Sequence, residues 1–184
     1  MLVDHKKEKL INAIIYFVQH TKFCGKTKLF KLLYFLDFEH FSKTGRSVTG
    51  LEYYAWPKGP VPSALFDEID NQTEETSSAL SITKRDTATG NEMFDIKPLI
   101  EFNPEFFTKR ELKLIESLSS EYYKAYSQGM VEATHLENLP WHQVYEEEGR
   151  RQELIPYELA LKKSEYEQVI KNVIENDEFE GNYK

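Results

Sequence analysis

The stretch "TKLFKLLYFLDFEHFSKTGR", residues 27–46, determines the fold, because its apolar side chains surround most of a helix. At about 100° per residue, leucines cover one side of that helix and aromatic rings extend the apolar arc. Thr27 is the predicted N-cap, Gly45 is the predicted stop, and the helix runs from Lys28 to about Ser42. A helix that is apolar nearly all round is enclosed by other elements. The stretch therefore predicts the central buried helix of a mainly α (α+β) fold.

One carboxylate, Asp37, points into the apolar arc of this helix. Burying an ionised carboxylate costs several kcal/mol unless the group is paired or hydrogen-bonded. The donors available to it are His40, Arg46, Lys58 and His135. We predict that Asp37, His40, Arg46 and His135 form a structural polar cluster. A ligand site is the alternative interpretation of the same residues.

The rest of the helix surface is a narrow polar stripe of Lys28, Lys31, Glu39 and Ser42, with Phe35 inside it. An aromatic ring on a polar face is typical of an interface anchor, although a covering helix of the same chain explains it equally well. We predict Phe35, Lys28 and Lys31 as contacts for a partner.

The composition indicates one acidic domain, predicted to cover residues 1–175, followed by an acidic tail, 176–184, that we expect to be disordered. The 184 residues carry a formal net charge of −8, which repels polyanions and favours a basic partner. The segment from Lys22 to Lys31 is a local basic exception. No apolar run approaches the ~20 residues that cross a membrane. The lone Cys24 and the charged N-terminal segment predict a cytoplasmic protein.

Hydrophobic periodicity and turn residues predict further elements around the central helix. In chain order these are a helix over Asp4–Gln19, a helix over Ser63–Asn71, a loop at 71–78, a small β-hairpin of residues 79–85 and 91–99, a helix after the capping box Thr108–Glu111, a short helix over Met130–Glu137 and a last helix over 164–175. Gly129 is predicted to end the helix or linker before the short helix. The fold class is thus a compact helical domain with one small hairpin.

The segment "EYYAWPKGPVP", residues 52–62, turns the chain after the central helix. Gly59 permits the turn, and each proline restricts the residue before it to extended geometry. We predict that the segment packs as a corner, with Trp56 anchoring it on the central helix. Lys58 is expected at the exposed tip or reaching back towards Asp37. Trp56 and Lys58 are also predicted partner contacts.

The sequence gives little support for catalysis, since it has no phosphate-binding glycine loop, dinucleotide fingerprint or nucleophile elbow. A zinc site would use His135, Glu137, His142 and Glu146, but zinc ligands normally show tighter spacing. A lone cysteine is more typical of a small buried hydrophobe than of a nucleophile. We predict no metal, no cofactor and no enzymatic activity.

Three segments taken together resemble the Panacea domain, the SocA-like antitoxin family. The first, residues 27–46, is similar to the family's Lys-Leu-x-Lys-Leu-Leu-Tyr helix with its following Asp37, His40 and Gly45. The second and third match a Gly-Pro-Val loop and a Thr/Ser-His and Pro-Trp element. Their positions here are Gly59, Pro60, Val61, Thr134, His135, Pro140 and Trp141. The resemblance spans about residues 10–145 and implies a mainly helical domain with a small strand element.

The resemblance further implies an antitoxin of a two-gene toxin–antitoxin module, of a kind often associated with prophages, that neutralises a cognate toxin by direct protein binding. The matched residues Gly59, Pro60, Val61, Pro140 and Trp141 are then architecture, and recognition residues lie elsewhere. Three alternatives stay open. One is an adaptor that delivers the toxin to a cellular protease. Another is an enzyme built on Asp37, His40 and His135. The third is a nucleic-acid-binding regulator that uses the Lys22–Lys31 patch, although the net charge of the chain repels nucleic acid.

Overall fold

The computed structural model describes residues 5–86, 92–136 and 139–161 and confirms a mainly α fold with small strand elements. The helices are α1 (Lys6–His20), α2 (Lys26–Thr44), α3 (Ser63–Asp70), α4 (Glu74–Ala79), α5 (Lys109–Glu121), α6 (Ser127–Thr134) and α7 (Pro140–His142). The strands are β1 (Tyr53–Trp56), β2 (Gly59–Pro62), β3 (Leu80–Asp86) and β4 (Glu92–Pro98). Short 3₁₀ turns cover Pro104–Phe106 and Tyr157–Ala160, and a π turn, Gln143–Glu147, continues α7.

Helix α2 is the central helix that the sequence predicts, and its leucines are fully buried. It begins at Lys26, two residues earlier than predicted, because Gly25 rather than Thr27 is the N-cap. It ends where Gly45 adopts a left-handed conformation with φ of 73°. Helices α1 and α5, the β1–β2 hairpin and the 3₁₀ turn Tyr157–Ala160 all pack on it.

The chain leaves α2 through a loop that Asp37 holds in place. One carboxylate oxygen of Asp37 accepts hydrogen bonds from the Val48 amide (2.8 Å) and the Thr49 amide (2.7 Å). The other accepts from the Thr49 hydroxyl (2.5 Å) and the Tyr53 hydroxyl (2.7 Å). Burial raises the pKa of Asp37, and the four hydrogen bonds act in the opposite direction. This carboxylate therefore fixes the path from α2 into β1.

Strands β1 and β2 form a tight antiparallel hairpin, in which Trp56 pairs with Gly59. The sequence predicts extended geometry here but not a paired hairpin. All four residues of β2 are buried, as expected for a corner that packs on the core. Helix α3 starts directly after Pro62, as predicted.

A second hairpin, β3–β4, lies where the sequence predicts one, with Leu80 paired to Pro98. The prediction of a loop over 71–78 is wrong, because α4 occupies part of it. The Thr73 side chain caps this helix by accepting a hydrogen bond from the Thr76 amide. The negative charge of Glu74 in the first turn interacts favourably with the helix dipole.

The capping box at Thr108 and Glu111 starts α5, as predicted. Helix α6 runs over Ser127–Thr134 rather than Met130–Glu137, so Gly129 lies inside a helix and does not end one. The predicted helix over 164–175 and the tail 176–184 lie outside the described residues. No helix in the described ranges is long and apolar enough to span a membrane.

Replacing Asp37 with Ala should unfold the protein more easily, because two buried amides and two hydroxyls lose their acceptor. We expect the free energy of unfolding to fall by about 3 kcal/mol. Glu52→Ala, at an exposed position, is the matched control and should change it by less than about 0.5 kcal/mol. Urea denaturation measures both, and equal effects of the two substitutions would contradict this role of Asp37.

Candidate functional site

The three motif segments of the sequence converge on one buried side chain, Lys31 of α2. Only 1% of Lys31 is exposed, and its ammonium donates a hydrogen bond of 2.7 Å to the Pro60 carbonyl of β2. Thr134, at the end of α6, is fully buried beside it. Burial lowers the pKa of Lys31 to about 7. The lysine thus links α2 to the hairpin backbone.

Gly59 allows this close approach. Its φ is +97°, and a Cβ atom at this position would lie 2.6 Å from Thr134 Oγ1 and 2.9 Å from Lys31 Cε. Any side chain would therefore push the hairpin away from α2 and α6 and would also strain the backbone.

An aromatic stack closes the other side of the hairpin. The ring of His135 lies parallel to that of Trp141, with centroids 3.7 Å apart, and Tyr145 stacks on the same indole at 4.7 Å. The indole nitrogen of Trp141 donates to the Trp56 carbonyl at 2.9 Å. Burial and the nearby Lys31 charge lower the pKa of His135, so its imidazole favours the neutral form. The Pro-Trp element thereby holds the end of β1.

The placement of Lys28, Lys31 and Phe35 does not support their predicted role as partner contacts, because the chain itself covers all three. The ammonium of Lys28 is enclosed by backbone carbonyls where α5 ends. Its acceptors are Lys22, Tyr122, Tyr123 and Ala125, at 2.6 to 3.3 Å. This is a cation at a helix C-terminus, where the carbonyls lack helical partners. The three side chains are therefore not placed as surface contacts, and the basic patch predicted over 22–31 does not form as one surface.

Phe35 is covered by another helix of the same chain, which is the alternative that the sequence leaves open. Its ring stacks on Tyr122, at the end of α5, with parallel planes and centroids 5.4 Å apart. A covering helix of the same chain thus explains this aromatic side chain on the polar stripe.

The residues of the predicted polar cluster, Asp37, His40, Arg46 and His135, do not all contact one another in the structure. Asp37 is satisfied by the loop and Tyr53 instead of by histidine or lysine. His40 Nδ1 lies 2.7 Å from the Arg46 carbonyl oxygen, which closes the turn after α2. His135 stacks on Trp141 against the hairpin. Asp37, His40 and His135 therefore have different partners and do not form one common cluster.

Two predicted contact residues remain at the surface. Lys58 is exposed at the tip of the β1–β2 hairpin, and Trp56 is half-buried, with its ring 5.3 Å from that of Phe66. Their role in binding a partner stays a prediction.

No group of three or more histidine, cysteine or acidic side chains is arranged to hold a metal among residues 5–86, 92–136 and 139–161. Glu137 of the zinc alternative lies outside these ranges. Burial raises the pKa of Cys24 to about 11, so its sulfur stays a thiol, which reacts weakly as a nucleophile.

Sequence reasoning missed the partners of Asp37 and the depth at which the two lysines are buried. For the first, only the hydroxyl of Thr49, in the loop after Gly45, is a signal in the sequence, because backbone amides have none. The burial of the two lysines has no signal in the sequence, because a lysine on a largely apolar helix can either reach solvent or be enclosed.

The geometry defines a mainly α domain in which motif residues lock a β-hairpin onto a buried helix. The chain belongs to the family of antitoxins described as SocA-like, with a Panacea domain, since that family's model matches residues 29–142. This confirms the resemblance drawn from the three segments, all of which overlap the matched range. Neither the curated proteins nor the solved structures yield a match.

Replacing Gly59 with Ala should destabilise the fold, because the new Cβ meets Thr134 and Lys31 and the φ is unfavourable. We expect a loss of about 2 kcal/mol or more. Gly129→Ala is the matched control: its Cβ meets nothing within 4 Å in a helix, and the change should stabilise by about 0.5 kcal/mol or more. Thermal unfolding followed by circular dichroism checks both signs, and a stabilising Gly59→Ala would refute the packing described.

Lys31 should make stability depend on pH. Folding lowers its pKa from 10.5 to about 7, so the unfolded chain binds more protons between these values and stability rises with pH. The difference in the free energy of unfolding between wild type and Lys31→Met should shift in favour of wild type by about 1.5 kcal/mol from about pH 7 to about pH 8.5. Urea denaturation at both pH values measures it. Lys58→Met, at an exposed lysine, is the control, and its difference from wild type should not change with pH. If the difference between wild type and Lys31→Met is also the same at both pH values, Lys31 is not buried as described.

Proposed function

We propose that this chain is the antitoxin of a two-gene module, which neutralises a cognate toxin in the cytoplasm by binding it directly, without catalysis and without a cofactor. The observation that carries the proposal is the family match over residues 29–142, which includes most of the central helix and the motif residues of both later segments.

The hydrogen bonds that buried polar groups make within the chain support binding over catalysis. Asp37 accepts four hydrogen bonds from within the chain, and Lys31 is enclosed against a backbone carbonyl. Groups that are both buried and already hydrogen-bonded are poorly placed to touch a substrate. We therefore infer that the residues of the family motifs form the scaffold that presents a binding surface.

Charge and exposure support a protein partner. The net charge of −8 disfavours nucleic acid and steers a partner with a basic surface. Trp56 and Lys58 are the predicted contacts that the fold leaves accessible, and they lie together at one end of the β1–β2 hairpin.

Co-expression with the product of the neighbouring gene tests the function. That protein alone should arrest growth, and this chain should restore growth and co-purify with it in near-equal amounts. The proposal fails if the chain neither restores growth nor retains the neighbouring protein.

Deletion of residues 176–184 separates occlusion from delivery to a protease. An antitoxin that occludes its toxin should still restore growth without this tail. A shortened chain that binds the toxin but no longer restores growth would favour the adaptor. Matched expression levels, verified by blotting, are the control.

A further inference from the structure

The ammonium group of Lys28 lies in a cage of oxygen atoms between the α1–α2 loop, residues 21–25, and the α5–α6 linker, residues 122–126. The side chain is fully buried, and the cage consists of the backbone carbonyls of Lys22, Tyr122, Tyr123 and Ala125. Three of these oxygens are 2.6 to 2.8 Å from the nitrogen, and that of Tyr123 is at 3.3 Å. A primary ammonium has three N–H donors and no acceptor. The three short contacts therefore match the donors of a charged lysine.

The oxygen atoms of the cage determine which class of ligand it suits. All four belong to neutral carbonyls, and three of them follow the C-terminal end of α5, which is the negative end of the helix macrodipole. Divalent metal ions are usually held by carboxylates and by a larger number of oxygen ligands. Carbonyl oxygens alone are typical of sites for monovalent cations, where they replace the water around the ion. The cage therefore suits a single positive charge, and its short contacts favour a cation that donates hydrogen bonds.

The same contacts hold a strained loop. The Lys22 carbonyl accepts from Lys28, and the Lys22 amide donates to the Tyr123 carbonyl at 2.8 Å. The next residue, Phe23, has φ of 57°, a left-handed conformation that is unfavourable for a bulky side chain. Such a conformation persists only where the surrounding structure maintains it. The Lys28 ammonium contacts both the α1–α2 loop and the α5–α6 linker, so it is placed to supply this constraint.

We propose that the carbonyl cage is a binding site for a primary ammonium ion, that Lys28 fills it as a ligand tethered to α2, and that this charge holds the α1–α2 loop on the α5–α6 linker. An uncharged side chain of similar length fills the space but leaves the carbonyls without a donor. A free alkylammonium ion supplies the charge and the donors when the lysine side chain is removed. The proposal does not depend on the antitoxin function, because the stability of the isolated chain tests it.

Chemical rescue of Lys28→Ala tests the site. The substitution removes the side chain from Cγ to the ammonium group, and we expect the melting temperature of the full chain to fall by about 8 °C or more. Propylammonium has the atoms that the substitution removes. Its chloride salt should raise the melting temperature of the variant by at least about 4 °C, relative to sodium chloride at equal concentration. Wild type should gain nothing from the same exchange of salts, because Lys28 already fills the cage.

Two further solutes and a matched variant separate this site from general effects. Tetramethylammonium carries the charge without N–H donors, and 1-propanol has a similar chain without the charge, so neither should raise the melting temperature of Lys28→Ala by more than about 1 °C. Lys31→Ala is the matched variant, because Lys31 is about as deeply buried but contacts one carbonyl, that of Pro60, among the described residues. No rescue by propylammonium, equal rescue by either other solute, or equal rescue of Lys31→Ala overturns the proposal.

Hydrogen exchange in Lys28→Met decides the question even if Lys28→Ala does not fold. Methionine keeps an apolar chain of similar length and removes the charge. The amides of Lys22 and Ala125, which donate to linker carbonyls, should exchange at least about tenfold faster than in wild type, because the loop and the linker separate more often. Lys113→Met, at an exposed position of α5, is the control and should leave both amides unchanged. If Lys28→Met also leaves them unchanged, the charge of Lys28 does not hold the loop and the proposal is wrong.

Discussion

The fold depends on one constraint: α2 is enclosed on all sides while three of its charged side chains are buried. Each of these charges has to find hydrogen-bond partners inside the protein, because burying it unpaired would cost more than the stability of a typical domain can supply. Asp37 binds the loop before β1, Lys31 binds β2, and Lys28 binds the carbonyls at the end of α5. The polar groups of one helix therefore determine where three other parts of the chain lie.

Much of this arrangement was predictable from sequence, and the failures have physical causes. The continuous apolar arc identified the central helix, and the capping box at Thr108 located α5. The burial of Asp37 followed from its place in the arc. Its partners did not, because backbone amides have no signature in the sequence. Lys28 and Lys31 were misplaced because a helical wheel shows which side chains share a face and does not show whether other elements cover that face.

The candidate site was harder to predict than the fold. Predicted contacts on α2 are inside the molecule, because the end of α5 and strand β2, which are far apart in sequence, cover them. Periodicity and motifs describe local order, and a surface built from separated elements appears only after packing.

The carbonyl acceptors of the buried lysines have a consequence for how this fold can vary. Lys31 binds the main chain of Pro60, and Lys28 binds the main chain of Lys22, Tyr122 and Ala125. A carbonyl oxygen is present at every position of a polypeptide, whichever side chain it carries. Substitutions at the acceptor positions can therefore leave these bonds intact as long as the backbone path is kept. Only the lysine of each interaction has to be a particular residue. The sequence around the acceptors can therefore diversify while the helix keeps its hydrogen bonds.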